Sequence, residues 1–258
     1  MPNDFVPLEM VVVPCRSDNY AFLVHSPTTG KTAVIDAPAA APIQDVLNAK
    51  GWTLSDILIT HHHGDHIDGV AALREGARVI GAAVDAHRLP ALDLQVVDGD
   101  VIKVCDVDAH ILDVSGHSIG HIAFHMPEQK LAFTADSLMA LGCGRVFEGT
   151  HAQMWETMQK LRALPGDTVI CSGHEYTETN ARFALSIDPE NPELISRVEA
   201  VMAARAAGQP TVPSILDEEK RTNPFLRADD PRLKAILGMA DSSDVAVFAE
   251  IRTRKDKF

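Results

Sequence analysis

The hydrophobic pattern changes character about two thirds of the way along the chain. Before residue 174, apolar runs of four to six residues recur between turn signals: Leu8–Val13, Tyr20–His25, Lys31–Asp36, Asp56–Thr60, Arg78–Ala82, Val101–Val104, Ala109–Val114, Ile122–Met126, Lys130–Thr134 and Thr168–Cys171. Short runs rich in β-branched residues and bounded by Gly, Pro or Asp predict strands. The turn Ser26-Pro27-Thr28-Thr29-Gly30 predicts a hairpin between the second and third. Helical composition marks Ala41–Lys50 before Gly51, Ile67–Glu75 before Gly76, and Gln153–Leu164 before Pro165-Gly166. Beyond residue 174 the pattern is helical: Glu178–Ile187, Pro192–Ala207 and Val245–Lys255. Asn191 fits an N-cap, Pro192 the first helical position and Gly208 a C-terminal stop. No comparable strand pattern follows Cys171. The expectation is a β-rich α/β domain to about residue 174, then a small helical domain.

Composition narrows the classes. The chain has 258 residues, 46% apolar, which allows one large domain or a medium one with an appendage. Lysine and arginine total 23 against 36 acidic residues, a net charge of −13. Polyanions bind through clustered cations, so nucleic acid and anionic membranes are not expected partners. No apolar run approaches the ~20 residues that span a bilayer, and MPNDFVPLEM lacks the features of a secretory leader. Cys15, Cys105, Cys143 and Cys171 are scattered. They read as reduced thiols of a cytoplasmic protein. Twelve histidines are the odd count.

Their placement carries the chemistry. Thr60-His61-His62-His63-Gly64-Asp65-His66 follows the predicted strand Asp56–Thr60 and precedes a helical stretch. In an extended segment alternate side chains share a side, so His61 and His63 converge and His62 points away. Imidazole and carboxylate at this density suit zinc or another divalent metal. His117, Asp136 and His174 each lie just past a predicted strand end, where open sheets gather functional groups. The seven candidates divide into His61, His63 and His117 for one metal and Asp65, His66 and His174 for the other, with Asp136 as the bridge. Such a pair lowers the pKa of a shared water. His25, His62, His87, His110, His121, His125 and His151 lack this context and read as ordinary core or surface residues.

The run His61 to His66, with His117, Asp136 and His174 downstream, resembles the metallo-β-lactamase superfamily. That resemblance implies an αββα sandwich. A narrower likeness covers nearly the whole chain. Asp18-Asn19-Tyr20, Gly142-Cys143-Gly144-Arg145 with Phe147-Glu148-Gly149, Gly173-His174-Glu175-Tyr176-Thr177, Asn223-Pro224-Phe225-Leu226-Arg227, and Arg252, Lys255, Asp256 and Phe258 are similar to the hydroxyacylglutathione hydrolase (glyoxalase II) family.

The family likeness implies a catalytic domain over 1–174 and a small all-helical glutathione-binding domain over 175–258. It implies hydrolysis of S-D-lactoylglutathione to glutathione and D-lactate by a metal-bridging hydroxide, with Asp65 and Asp136 as catalytic carboxylates. Two divalent metals are expected, zinc first, with iron or manganese as alternatives. Arg145, Phe147, Tyr176, Arg252 and Lys255 are the implied substrate contacts, and a monomer acting on a small glutathione thioester is expected. Phe147 stands where some members carry tyrosine, and Ala135 where glycine is frequent. The rival readings are a persulfide dioxygenase, a lactonase-like metallohydrolase, or a metal-binding protein without catalysis. The complete ligand set and the helical tail favour hydrolysis.

Overall fold

The computed structural model describes residues 7–258. Met1 to Val6, the start of the segment read above as carrying no leader, lie outside the described residues. Two compact units emerge: residues up to Asp113 with Gly120–Thr134, and Val114–Ile119 with Ala135–Phe258.

The first unit holds one six-stranded sheet and four strands of a second. Strands β1 (Glu9–Cys15), β2 (Asn19–His25), β3 (Thr32–Ile35), β4 (Leu54–Leu58), β5 (Arg78–Ala82) and β6 (Leu94–Val96) lie in sequence order. The first three are antiparallel, and β3 to β6 run parallel. A parallel step needs a crossover, which α1 (Ala40–Lys50) supplies between β3 and β4. Gly51 ends α1 in the left-handed region at φ 66°, as its position in the sequence predicts. Ile43 and Leu47 of α1 pack with Val70 and Leu73 against Leu23, Val34, Ile57 and Val79. Strands β7 (Val101–Val104), β8 (Val107–Asp113), β9 (Ile122–Met126) and β10 (Leu131–Ala135) form an antiparallel meander. Phe22 of β2 meets Phe133 of β10 at 5.7 Å between ring centroids, so the two sheets share an apolar interior. This explains why β2 and β10 are buried on both faces and read as continuous apolar runs.

The stretch Ile67–Glu75 is not one helix. It forms two short turns, α2 (Gly64–Ile67) and α3 (Val70–Leu73), separated at Gly69. The Gly69 N–H donates to the Ala37 carbonyl, and a Cβ there would lie 2.8 Å from that oxygen. Backbone contact of that closeness needs glycine and interrupts the helix.

The second unit holds the short hairpin β11 (Leu138–Met139) and β12 (Gly142–Cys143), then α4 (His151–Arg162) and β13 (Val169–Ser172). Helices α5 (Thr177–Ile187) and α6 (Pro192–Ala206) follow, then β14 (Ser214–Ile215), α7 (Leu216–Thr222), α8 (Pro231–Ile236) and α9 (Asp244–Asp256). Helix α4 starts in a capping box, Thr150 with Gln153, and α6 starts at the Asn191 cap with Pro192 behind it. Strand β14 corrects the expectation of no strand after Cys171. It is two residues long, too short for any periodicity, and pairs antiparallel with β13. Trp155, Phe183, Phe225 and Phe248 form an aromatic core that joins α4, α5, α9 and the turn Pro224–Leu226. No helix among the described residues is long and apolar enough to cross a membrane.

Candidate metal centre

In the first unit the site grows from the carboxyl ends of β3 and β4. Asp36, just past β3, accepts from the Thr60 N–H and Oγ1, both at 2.8 Å. One buried carboxylate thereby ties two parallel strand ends together. Its Oδ2 also lies 2.8 Å from His66 Nδ1. His61 Nδ1 is 3.0 Å from Thr60 Oγ1, and its Nε2 is 3.1 Å from His63 Nδ1. His62 turns away to Asp85, Nδ1 to Oδ2 at 3.0 Å, with Arg88 beside both. The parity argument from the extended segment therefore matches the geometry of the three rings. Asp65 takes the Asn19 amide at 3.1 Å on Oδ2 and 3.0 Å on its carbonyl. The same Oδ2 is 3.8 Å from His66 Nε2. Asp68, the next carboxylate, is exposed and pairs with Arg16.

In the second unit His117, Asp136 and His174 converge. Asp136 Oδ2 lies 3.5 Å from His117 Nε2 and 3.4 Å from His174 Nε2, with all three side chains buried. His117 Nδ1 is 2.9 Å from the Arg145 carbonyl. Phe147 is 61% exposed and its ring lies 5.2 Å from that of His117. Tyr176 is 41% exposed and stacks on His174 at 4.6 Å and 10°. Each histidine beside Asp136 thus carries an aromatic cover. Ala135, immediately before Asp136, adopts φ 41°, close to the left-handed region that favours glycine.

The predicted substrate contacts also lie in the second unit. Arg252 is 3% exposed. Its Nη1 donates to the Cys143 carbonyl at 2.8 Å, and its Nη2 lies 3.0 Å from Asp256 Oδ1. The same Asp256 oxygen is 3.7 Å from Arg145 Nε. Lys255 Nζ sits 5.2 Å and 5.3 Å from the rings of Phe183 and Phe258 and donates to the Thr179 carbonyl at 3.3 Å. Burial, then the charges of Arg252 and Arg145, bring its amine down to about 8. Burial drives the thiols the other way: Cys143 is pushed up to about 11 and Cys171 is raised further. Neither is a ready nucleophile.

The donor chemistry fits a divalent metal. His61, His66 and His117 each have Nδ1 engaged, by Thr60, Asp36 and the Arg145 carbonyl. Each ring then presents Nε2, the arrangement that fixes tautomer and aim in metal-binding histidines. Histidine and carboxylate clusters able to coordinate a metal are present among the described residues. One of them contains Asp36, but both Asp36 oxygens are occupied by Thr60 and His66 Nδ1, so it orients His66 instead of binding the ion. Sequence reading missed Asp36, and gave Asn19 and Thr60 no role. The available signal was a carboxylate closing a buried apolar run one strand away from the histidines.

Comparison with known proteins agrees with this chemistry. The profile of the metallo-beta-lactamase superfamily matches residues 16–174, and that of the hydroxyacylglutathione hydrolase C-terminus matches 175–258. A hydroxyacylglutathione hydrolase of Cereibacter sphaeroides (strain ATCC 17025 / ATH 2.4.3) is 61% identical over 98% of this chain and 100% of that protein. One from Ruegeria pomeroyi is 60% identical over the same shares. Among solved structures, ETHE1 from Myxococcus xanthus aligns with TM-score 0.68 at 24% identity, over 96% of this chain and 90% of that one. The BLEG-1 B3 metallo-beta-lactamase aligns with TM-score 0.66 at 18% identity, over 84% and 99%. These structural likenesses show the fold. The chain has the metallo-β-lactamase-like sheet core with a helical C-terminal region, and it belongs to the hydroxyacylglutathione hydrolase family.

Proposed function

We propose that this hydrolase cleaves S-D-lactoylglutathione to glutathione and D-lactate. The observation that carries the reading is Asp136, whose one oxygen faces the Nε2 atoms of both His117 and His174. A carboxylate so placed suits a bridge between two metals. His61, His63 and His117 would hold one ion, and Asp65, His66 and His174 the other, groupings of a kind able to bind metal. Zinc is the first choice for this nitrogen-rich set, with iron or manganese as alternatives. Metal bound there would supply Lewis-acid polarisation of a thioester carbonyl and would acidify a water.

The chain's own residues do the rest. Asp65 and Asp136 are the carboxylates nearest the chemistry, and Asn19 and Asp36 hold Asp65 and His66 in place. Glutathione carries two carboxylates, which the exposed Arg145 and the half-buried Lys255 would meet as cations, while Arg252 adds charge from a buried position. Phe147 and Tyr176 shelter the site with their rings, and Phe147 contributes no hydroxyl. In this reading residues 1–174 carry the metal ligands and residues 175–258 recognise glutathione, in a cytoplasmic monomer.

The test is an assay of purified protein with S-D-lactoylglutathione and, separately, glutathione persulfide, with metal analysis of the same sample. Thioester hydrolysis with close to two metals per chain is expected. Oxygen uptake with the persulfide and no thioester turnover would replace this reading with the dioxygenase one.

A further inference from the structure

The motif beginning Asn223-Pro224-Phe225 has no role in the site described so far. Its first residue reaches far back along the chain. Between Asp136 and Arg145 the backbone makes the hairpin β11–β12. Five consecutive residues of it each present a backbone polar group to a buried side chain from the helices or from Asn223. Asn223 Nδ2 reaches the Met139 carbonyl at 3.2 Å and the Gly142 carbonyl at 3.0 Å. Asn180 Nδ2 reaches the Ala140 carbonyl at 3.1 Å. The Leu141 N–H donates to Glu219 Oε2 at 2.9 Å, and Arg252 donates to the Cys143 carbonyl at 2.8 Å.

The grip is itself held. Glu219 and Asn223 are both fully buried, and Asn223 Nδ2 lies 3.1 Å from Glu219 Oε2. The other Glu219 oxygen pairs with Arg197, whose Nη1 donates to Thr222 at 2.7 Å. On its far side, Asn223 Oδ1 accepts the Phe225 N–H at 3.0 Å and caps the turn Pro224–Leu226. A local cap needs only that oxygen; the amide nitrogen does a second job.

That job bears on the site because the hairpin's base touches it. Leu141 adopts φ 55°, a conformation that persists in a non-glycine residue only where the surroundings over-determine it. The Gly144 N–H donates to the Ser137 carbonyl, and a Cβ on Gly144 would lie 2.0 Å from the Asp136 carbonyl oxygen. Backbone packs on backbone there, so displacement of β12 is passed to Asp136 on one side and Arg145 on the other.

We propose that Asn223, with Glu219, is a positioning residue for the reaction: its amide nitrogen holds the Met139 and Gly142 carbonyls while Glu219 holds the Leu141 N–H, and this grip on the hairpin sets the placement of Asp136 and Arg145. The roles of those two residues rest on the function proposed above; the grip does not.

Asn223→Ser tests it, because serine keeps a capping oxygen for the Phe225 N–H and loses the amide nitrogen. In metal-free protein, amide exchange at Leu141 and Gly144 should quicken. Well below the melting temperature, zinc should be lost to a chelator faster, and kcat/KM for S-D-lactoylglutathione should fall, each by roughly tenfold. A purely stabilising residue would lower only the melting temperature, so zinc retention and kcat/KM equal to those of the parent would overturn the proposal. Should Asn223→Ser not fold, Asn180→Ala releases the Ala140 carbonyl alone and must shift the same readouts in the same direction. If the parent itself fails to hydrolyse the thioester, the functional reading falls, while zinc retention still decides the positioning role.

Discussion

At the scale of single residues, the site works by anchoring one ring nitrogen of His61, His66 and His117 so that the orientation of each ring is set. Asp36 does this for His66 and ties Thr60 at the same time. Asp36→Asn should keep the fold and weaken metal binding by roughly 10- to 100-fold, measured by chelator competition. Asp136→Ala should lower both metal content and turnover, since one oxygen serves two histidines; normal turnover in that variant would refute a bridging role. Lys255 carries a pH signature with two opposite signs. Its amine is at about 8 in the fold against an ordinary 10.5. Between those values the unfolded chain holds the proton more firmly, so this group adds folding stability as pH rises from about 8 towards 10.5. Binding runs the other way, because the neutral amine no longer attracts a carboxylate. KM for the glutathione thioester should climb from pH 7 to 9 and a neutral thioester should not respond, which steady-state kinetics on both will show. The histidine ligands were legible because their spacing in an extended segment encodes which way they point. Asp36 was not, because its partners come from a strand 24 residues away.

At the scale of elements, the chain reads well where a single device acts alone. Gly51 stops α1 and Asn191 starts α6, whereas the Thr150–Gln153 box that starts α4 at His151 was not read from the sequence, which began that helix at Gln153. Thr150→Ala should cost about 1 kcal/mol in denaturant unfolding. Elements made by tertiary contact were not legible. The break at Gly69 depends on the Ala37 carbonyl, β14 depends on β13, and the hairpin after Asp136 depends on Asn180, Glu219 and Asn223. Gly144 marks how little slack that hairpin has. Gly144→Ala would set a methyl 2.0 Å from the Asp136 carbonyl and 2.9 Å from His117 Nδ1. Activity should fall at least as far as in Asn223→Ser, with the loss visible in zinc retention.

At the scale of the molecule, the charge count and the site pull in different directions. The net −13 disfavours polyanions, yet Arg252 and Lys255 stand near Asp256 at the end of α9, where Arg254 and Lys257 add further basic residues along the chain. That local cationic cluster, reinforced by Arg145, suits a small dianion. KM for the glutathione thioester should therefore rise with ionic strength while that of a neutral thioester stays level. The class of fold, strands first and helices after, was legible from the change in hydrophobic period; the compact units group Val114–Ile119 and residues 135–174 with the helices that follow.

One further property follows from the four cysteines. Cys15, Cys105, Cys143 and Cys171 are all buried free thiols, and burial raises every one of them, Cys105 to about 12. The proposed reaction releases a thiol beside the protein at each turnover. A chain with an accessible thiolate would drift into mixed disulfides with its own product or be capped by electrophilic aldehydes. Burial of all four argues for a chain whose thiols stay unreactive while it is folded: a thiol reagent should titrate close to none of the four before unfolding and all of them afterwards.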